Sequence, residues 1–117
     1  MTASITTVEG KVTQLIKEYS DDGYCLLELL RFMGRHPHTR FSRLVIIHAL
    51  NSQRLYTERA IRYLANKGVV RTHIENNVLF YSLTEANDLR DLALNLAALD
   101  WYQWQALLRQ VYPLPGE

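Results

Sequence analysis

Apolar residues recur along most of this chain at helical spacing, and the pattern changes once to the short apolar runs of paired strands. Val8, Val12, Leu15, Ile16 and Tyr19 fall on one helical face. Ahead of them, Thr6-Thr7-Val8-Glu9 has the spacing of a capping box, so a first helix is expected over 8–19. Ser20-Asp21-Asp22-Gly23 predicts a turn in which either aspartate can cap the next helix. From Tyr24 to Met33 only Glu28 and Arg31 interrupt the apolar run, which is the density of a central core helix. Gly34 is expected to end that helix, and Pro37 to keep it from resuming.

The next segments are shorter. His36 to Phe41 should be extended, with a short strand at Thr39 to Phe41. Ser42 can cap a helix from Arg43 to Leu50, with Val45, Ile46, Ala49 and Leu50 turned inward, and Asn51 suits a left-handed turn. A helix beginning near Ser52 or Gln53 then places Thr57, Ala60, Ile61 and Leu64 on one face. Lys67-Gly68 closes it, with a cation near the negative end of the dipole and a glycine free to turn left-handed. Val69 to Ile74 and Val78 to Leu83 read as two strands joined at Glu75-Asn76-Asn77, because asparagine tolerates positive φ.

Thr84 can cap the last helix, with Glu85 and Asp88 in its first turn. Leu89, Leu92, Leu96 and Leu99 follow a 3-4-3 spacing, and Ala93, Ala97, Trp101, Trp104, Leu108 and Val111 form a second stripe. A helix apolar nearly all round needs cover nearly all round. A second copy of the chain is the simplest cover for the side that its own core does not reach. An unbroken helix to Val111 would be roughly 40 Å long at about 1.5 Å per residue. The Asp100–Gln103 spacing looks like a fresh cap and marks where it can break. The tail PLPGE should be loose.

A chain of 117 residues is most simply one domain, 1–117, divided into an N-terminal helix (8–19), a core (24–84) and a terminal helix (85–111). Apolar content of 48% and charged content of 21% place it among soluble globular proteins, and no apolar run reaches membrane-spanning length. MTASITTVEG has neither the basic start nor the apolar core of an export signal. The single cysteine, Cys25, fits a reducing cytoplasm.

The net charge of +1 hides a segregation that changes the picture. Between Arg31 and His73 lie nine arginines and lysines and all four histidines, with Glu58 the one acid. That stretch carries +8 and the rest of the chain −7, which points to a polyanionic partner for the middle. The helix from Arg54 to Lys67 sits inside it, and a basic helix followed by a glycine stop and a two-stranded ribbon describes a DNA-reading helix with a wing.

Three segments carry a resemblance to known proteins: RFSRL at Arg40 to Leu44, RAIRYLANKGVV at Arg59 to Val70, and YSLTEANDL at Tyr81 to Leu89. In this order they resemble the winged-helix transcriptional regulators of bacteria and archaea. HxlR-type regulators are similar in the RFS-L segment and in its distance to the Y-S-L-T end of the wing. MarR-type and ArsR-type regulators are similar in the end of the basic helix. The resemblance covers about Tyr24 to Leu99 and leaves the choice among these families open. It implies an α+β, mostly helical fold: a winged helix-turn-helix with an N-terminal helix and a long C-terminal dimerisation helix. It also implies double-stranded DNA and a second copy as partners; no cofactor is expected.

The residues suit that role. Arg59 and Arg62, three apart, can both point at a major groove, where arginine reads guanine. Arg54 and Tyr56 near the helix start can meet bases or phosphates, and Arg40 and Arg43 can clamp phosphates. Arg71, His73, Asn76 and Asn77 can reach the backbone or minor groove from the wing. The plainer alternative is a solvated helix in which Glu58 pairs with Arg62. Dimer contacts are expected at Leu89, Leu92, Leu96, Leu99, Trp101, Trp104 and Leu108. Trp101, Tyr102 and Trp104 can also line a pocket for an effector of unknown identity.

Other chemistry is thinly represented. His36, His38 and His48 have no carboxylate or thiolate at ligand spacing, so no metal site is expected. There is no nucleophile elbow, phosphate loop or convincing carboxylate pair, so no enzyme is expected. Cys25 reads as a buried apolar residue, with a redox switch as the sharper alternative. The expectation is a homodimeric DNA-binding regulator reading an inverted repeat. A module that docks an acidic protein, and a regulator gated by an oxidant or small molecule, are the alternatives.

Overall fold

The computed structural model describes residues 5–85 and 88–112, with side chains from residue 8 onward. They form an α+β fold, mostly helical, with six helices and a three-stranded antiparallel sheet. The helices are α1 (Ile5–Glu18), α2 (Gly23–Arg35), α3 (Arg43–Ala49), α4 (Arg54–Asn66), α5 (Asp88–Ala98) and α6 (Trp101–Val111). The strands are β1 (Phe41–Ser42), β2 (Val70–Glu75) and β3 (Val78–Leu83), in the order β1-β3-β2. No helix among the described residues is long and apolar enough to cross a membrane.

The core is built on α2, whose Cys25, Leu26, Leu27, Leu29, Leu30 and Met33 are buried. Asp22 caps this helix by accepting from the Cys25 amide at 2.9 Å, as the turn pattern predicts. Gly34, expected as its stop, is instead inside it. A methyl group there would land on the Ala93 backbone carbonyl of α5, so the glycine lets two helices approach. Glu28, one of the two residues that interrupt the apolar run of this helix, accepts from the Asn51 amide at 3.1 Å and so holds the turn between α3 and α4. Asn51 does not take the left-handed conformation expected of it: Asn76 and Asn77 are the only non-glycine residues with positive φ among those described.

Ser42 caps α3 as expected, but only Ile46 of that helix is buried, with Leu50 just after it. Val45 and Ala49, expected inward, are exposed, because seven residues make barely two turns and cannot bury so wide a face. At the end of α4, Gly68 has φ 75° and donates to the Ala65 carbonyl, while the Val69 amide donates to Leu64. These two bonds make a Schellman cap, the role the sequence assigns to Gly68. The hairpin register pairs Glu75 with Val78, so Asn76 and Asn77 alone form the turn, with φ of 52° and 64°. That is the type I′ geometry favoured by strand twist.

The terminal helix breaks. Asp100 accepts from the Gln103 amide at 2.8 Å, and the Gln103 side chain accepts from the Asp100 amide at 2.9 Å. This reciprocal cap starts α6, so the expected single terminal helix is two, α5 from Asp88 and α6 from Trp101, and not one rod. α1 also begins earlier than expected, by Ile5. The proposed cap side chain at Thr6, residues 86–87 before α5, and the tail 113–117 lie outside the described residues.

Candidate nucleic-acid interface

Helix α4 is two-sided. Thr57, Ala60, Ile61 and Leu64 are buried against the core, while Arg54, Arg59, Arg62, Asn66 and Lys67 are exposed. Tyr56 is half-buried and packs against the core, so its ring is less available than the sequence implies. Its neighbour Leu55 is 53% exposed.

Arg43 and Arg54 are brought together from two elements by one carboxylate. Glu58 accepts from Arg54 at 3.0 Å and stands 3.8 Å from Arg43, at the start of α3. The Arg54 hydrogen bond holds the Glu58 carboxyl below its usual range, helped by the charge of Arg43. The Glu58–Arg62 ion pair of the plainer alternative is not formed: Glu58 reaches toward the helix start, and Arg62, whose charge also lowers the Glu58 pKa, has no carboxylate within 4.0 Å among the described residues.

The hairpin contributes a second group. In its register Arg71, His73 and Glu75 share one face with Val78, Phe80 and Ser82. Arg40 comes to this face from the segment before β1: it pairs with Glu75 at 2.8 Å and lies 5.6 Å from the centre of the Phe80 ring. His73 Nε2 is 3.9 Å from the same carboxylate. Asn76 and Asn77 form the exposed tip.

Folding also revises the charge map. Arg59 donates to Asp21 at 3.2 Å, an acid from the α1–α2 turn that the sequence counts outside the basic stretch. Arg31 is withdrawn from it. Its guanidinium lies 4.6 Å from the centre of the Trp104 ring and donates to the Leu99 carbonyl at 3.3 Å, tying α2 to the α5–α6 junction. His36 packs edgewise on Phe41 and against Phe32, with ring centres 5.6 and 5.3 Å away. No group of three or more metal-ligating side chains converges among the described residues.

The interface residues proposed on the terminal helices divide. Leu92, Leu96 and Trp104 are core residues, buried by their own chain, and are not available to a partner. Leu89, Leu99 and Leu108 are half-buried against that core. Trp101 is 64% exposed and Tyr102, left out of the expected interface, is 82% exposed. These two therefore do not enclose a pocket with Trp104. An open hollow of about 380 Å³ lies instead between Tyr24, Gln105, Leu108, Arg109 and Tyr112.

Sequence reasoning also missed an apolar component around the basic face. Leu44 and Val45 on α3, Leu55 on α4, and Ile74, Val78 and Leu79 on the hairpin are all exposed. The helical reading assigned Val45 inward, and strand alternation gives no sign of where a hairpin outruns its core. Comparison of the chain with protein-family models, with characterised proteins and with solved structures finds no match.

Proposed function

We propose that this protein is a winged-helix DNA-binding regulator. In this reading α4 enters the major groove, the β2–β3 hairpin is the wing, and a promoter is occluded. The observation that carries it is α4 itself, a helix locked into the core on one side and lined with Arg54, Arg59 and Arg62 on the other. A helix so presented has the width and side-chain reach for base edges. Arg43, Arg40 and Arg71 lie on the elements around it and suit phosphate contacts, which fix register without reading sequence.

A homodimer belongs to the same reading. Its contact residues are revised to Trp101 and Tyr102, with the half-buried Leu99 just before α6 and Leu108 farther along it. Two copies would set recognition helices in successive major grooves, about 34 Å apart, over an inverted repeat.

The test is fluorescence anisotropy of a generic duplex against salt. A dimer neutralising roughly six to ten phosphates gives a log–log slope of about −5 to −9. A flat slope, or no binding at low salt, would remove the reading.

The exposed apolar side chains favour a second reading on their own account. Leu44, Val45, Leu55, Ile74, Val78 and Leu79 among arginines have the composition of a protein interface. A module that docks an acidic protein is the outcome to pursue if duplex DNA does not bind.

A further inference from the structure

Of the six arginines assigned to DNA, four already hold a carboxylate. Asp21 accepts from Arg59 at 3.2 Å. Glu58 serves Arg54 at 3.0 Å and Arg43 at 3.8 Å. Glu75 serves Arg40 at 2.8 Å, with His73 Nε2 3.9 Å away. The three acids come from three different elements: the α1–α2 turn, α4 and the end of β2. Two of them, Asp21 and Glu75, lie outside the acid-poor stretch 31–73 and are returned to it by folding. Arg62 and Arg71 hold no carboxylate within 4.0 Å among the described residues.

Resting on the DNA reading, we propose that Asp21, Glu58 and Glu75 are built-in phosphate surrogates that compete with the DNA backbone for the arginines of this face. A carboxylate and a phosphate oxygen offer the guanidinium the same kind of paired acceptor. Every one of these pairs is partly exposed, and exposed pairs are weakly held. An arriving phosphate can therefore displace them. The exchange changes the ion balance. The phosphate releases its condensed cation, but the freed carboxylate gathers one back, so the net release per arginine is smaller. The consequence is weaker binding to arbitrary DNA and a shallower salt dependence than the arginine count implies. A larger share of affinity is then left to contacts that read bases.

A purely orienting role has the opposite sign. If the carboxylates stay on their arginines and aim them at the duplex, neutralising them weakens binding. If they lie off the interface, neutralising them changes nothing beyond a small uniform effect of net charge.

The experiment titrates the full chain against a duplex of arbitrary sequence, across a salt series, by anisotropy. Asp21→Asn, Glu58→Gln and Glu75→Gln are compared with wild type, and Asp91→Asn on the exposed start of α5 is the net-charge control. Thermal melting checks that each variant is folded, and Asp21→Asn and Glu75→Gln, on different elements, are independent tests. The expected result is tighter generic binding, by about threefold or more per variant at low salt, with slopes steeper by up to about two, one for each copy in the dimer. Asp91→Asn should stay within about twofold of wild type with an unchanged slope. Wild-type binding with unchanged or weakened binding in the folded variants would overturn the inference alone. A wild type that binds no duplex at low salt would overturn the DNA reading, and the inference with it.

Discussion

At Tyr19 the chain buries a phenol whose hydroxyl has no hydrogen-bond partner among the described residues. Burial, reinforced by the nearby Asp21 charge, pushes its pKa up to about 12. The folded state thus keeps a proton that the unfolded chain loses near pH 10, and this contribution to stability is complete below pH 10 and lost as pH rises toward 12. Tyr19→Phe should remove that part of the alkaline loss and, at neutral pH, be neutral or stabilising by up to about 1 kcal/mol. Urea denaturation of both proteins at neutral and alkaline pH checks it; a clear destabilisation at neutral pH would mean that the hydroxyl is bonded. Cys25 is fully buried, its sulfur 3.7 Å from the Thr57 hydroxyl, and burial raises its thiol pKa. A thiolate is the reactive form, so modification by a thiol reagent should be slow and should speed up only as denaturant opens the core. Rapid labelling of the native protein would restore the redox alternative. The apolar setting of Cys25 was legible from its neighbours in the sequence. The bare hydroxyl of Tyr19 was not, since a partner is a matter of three-dimensional placement.

Among the elements, α2 and α5 depend on one glycine. Gly34→Ala places a methyl on the Ala93 carbonyl, which is backbone and cannot rotate aside, so a loss of about 1–3 kcal/mol is expected from overpacking. A variant as stable as wild type in chemical denaturation would show that the helices can part without cost. Asp100→Ala should cost about 1 kcal/mol through loss of the α6 cap, read the same way. Both glycine roles look alike in sequence: a glycine near the end of an apolar run can be a stop or a point of close approach. Gly68 was legible as a cap because strand residues follow it at once. Gly34 was not, because its partner Ala93 lies 59 positions away. Local rules located the Ser42 cap, narrowed the α2 cap to Asp21 or Asp22, marked Asp100 as a place where the last helix can break, and placed the hairpin turn to within one residue, all features decided within a few residues. They failed for α3, where helical periodicity was applied to a segment too short to bury two rows.

For the molecule as a whole, the charge segregation in the sequence survives folding in part. Arg31 leaves the basic surface for Trp104, and Asp21 and Glu75 join it. Element order through the hairpin was legible because the helices and the paired strands carry their own periods, whereas the last helix was read as one and is two. The burial of Leu92, Leu96 and Trp104 was not, because an apolar stripe looks the same whether its own core or a partner covers it. If Trp101 and Tyr102 form the dimer contact, light scattering at micromolar concentration should give twice the chain mass, and Trp101→Glu should give a monomer. A monomeric wild type would leave α6 without that role. The most direct measurement concerns α4 and the β2–β3 hairpin. Arg62 and Arg71 are exposed and hold no carboxylate among the described residues, so Arg62→Glu/Arg71→Glu should leave the fold intact. Duplex binding of wild type and double variant is compared by anisotropy across a salt series. The expected result is steep salt-dependent binding by wild type, with a variant at least about tenfold weaker and, since a dimer loses two arginines from each copy, a slope shallower by about four. Equal binding by the two folded proteins would contradict DNA recognition by this face.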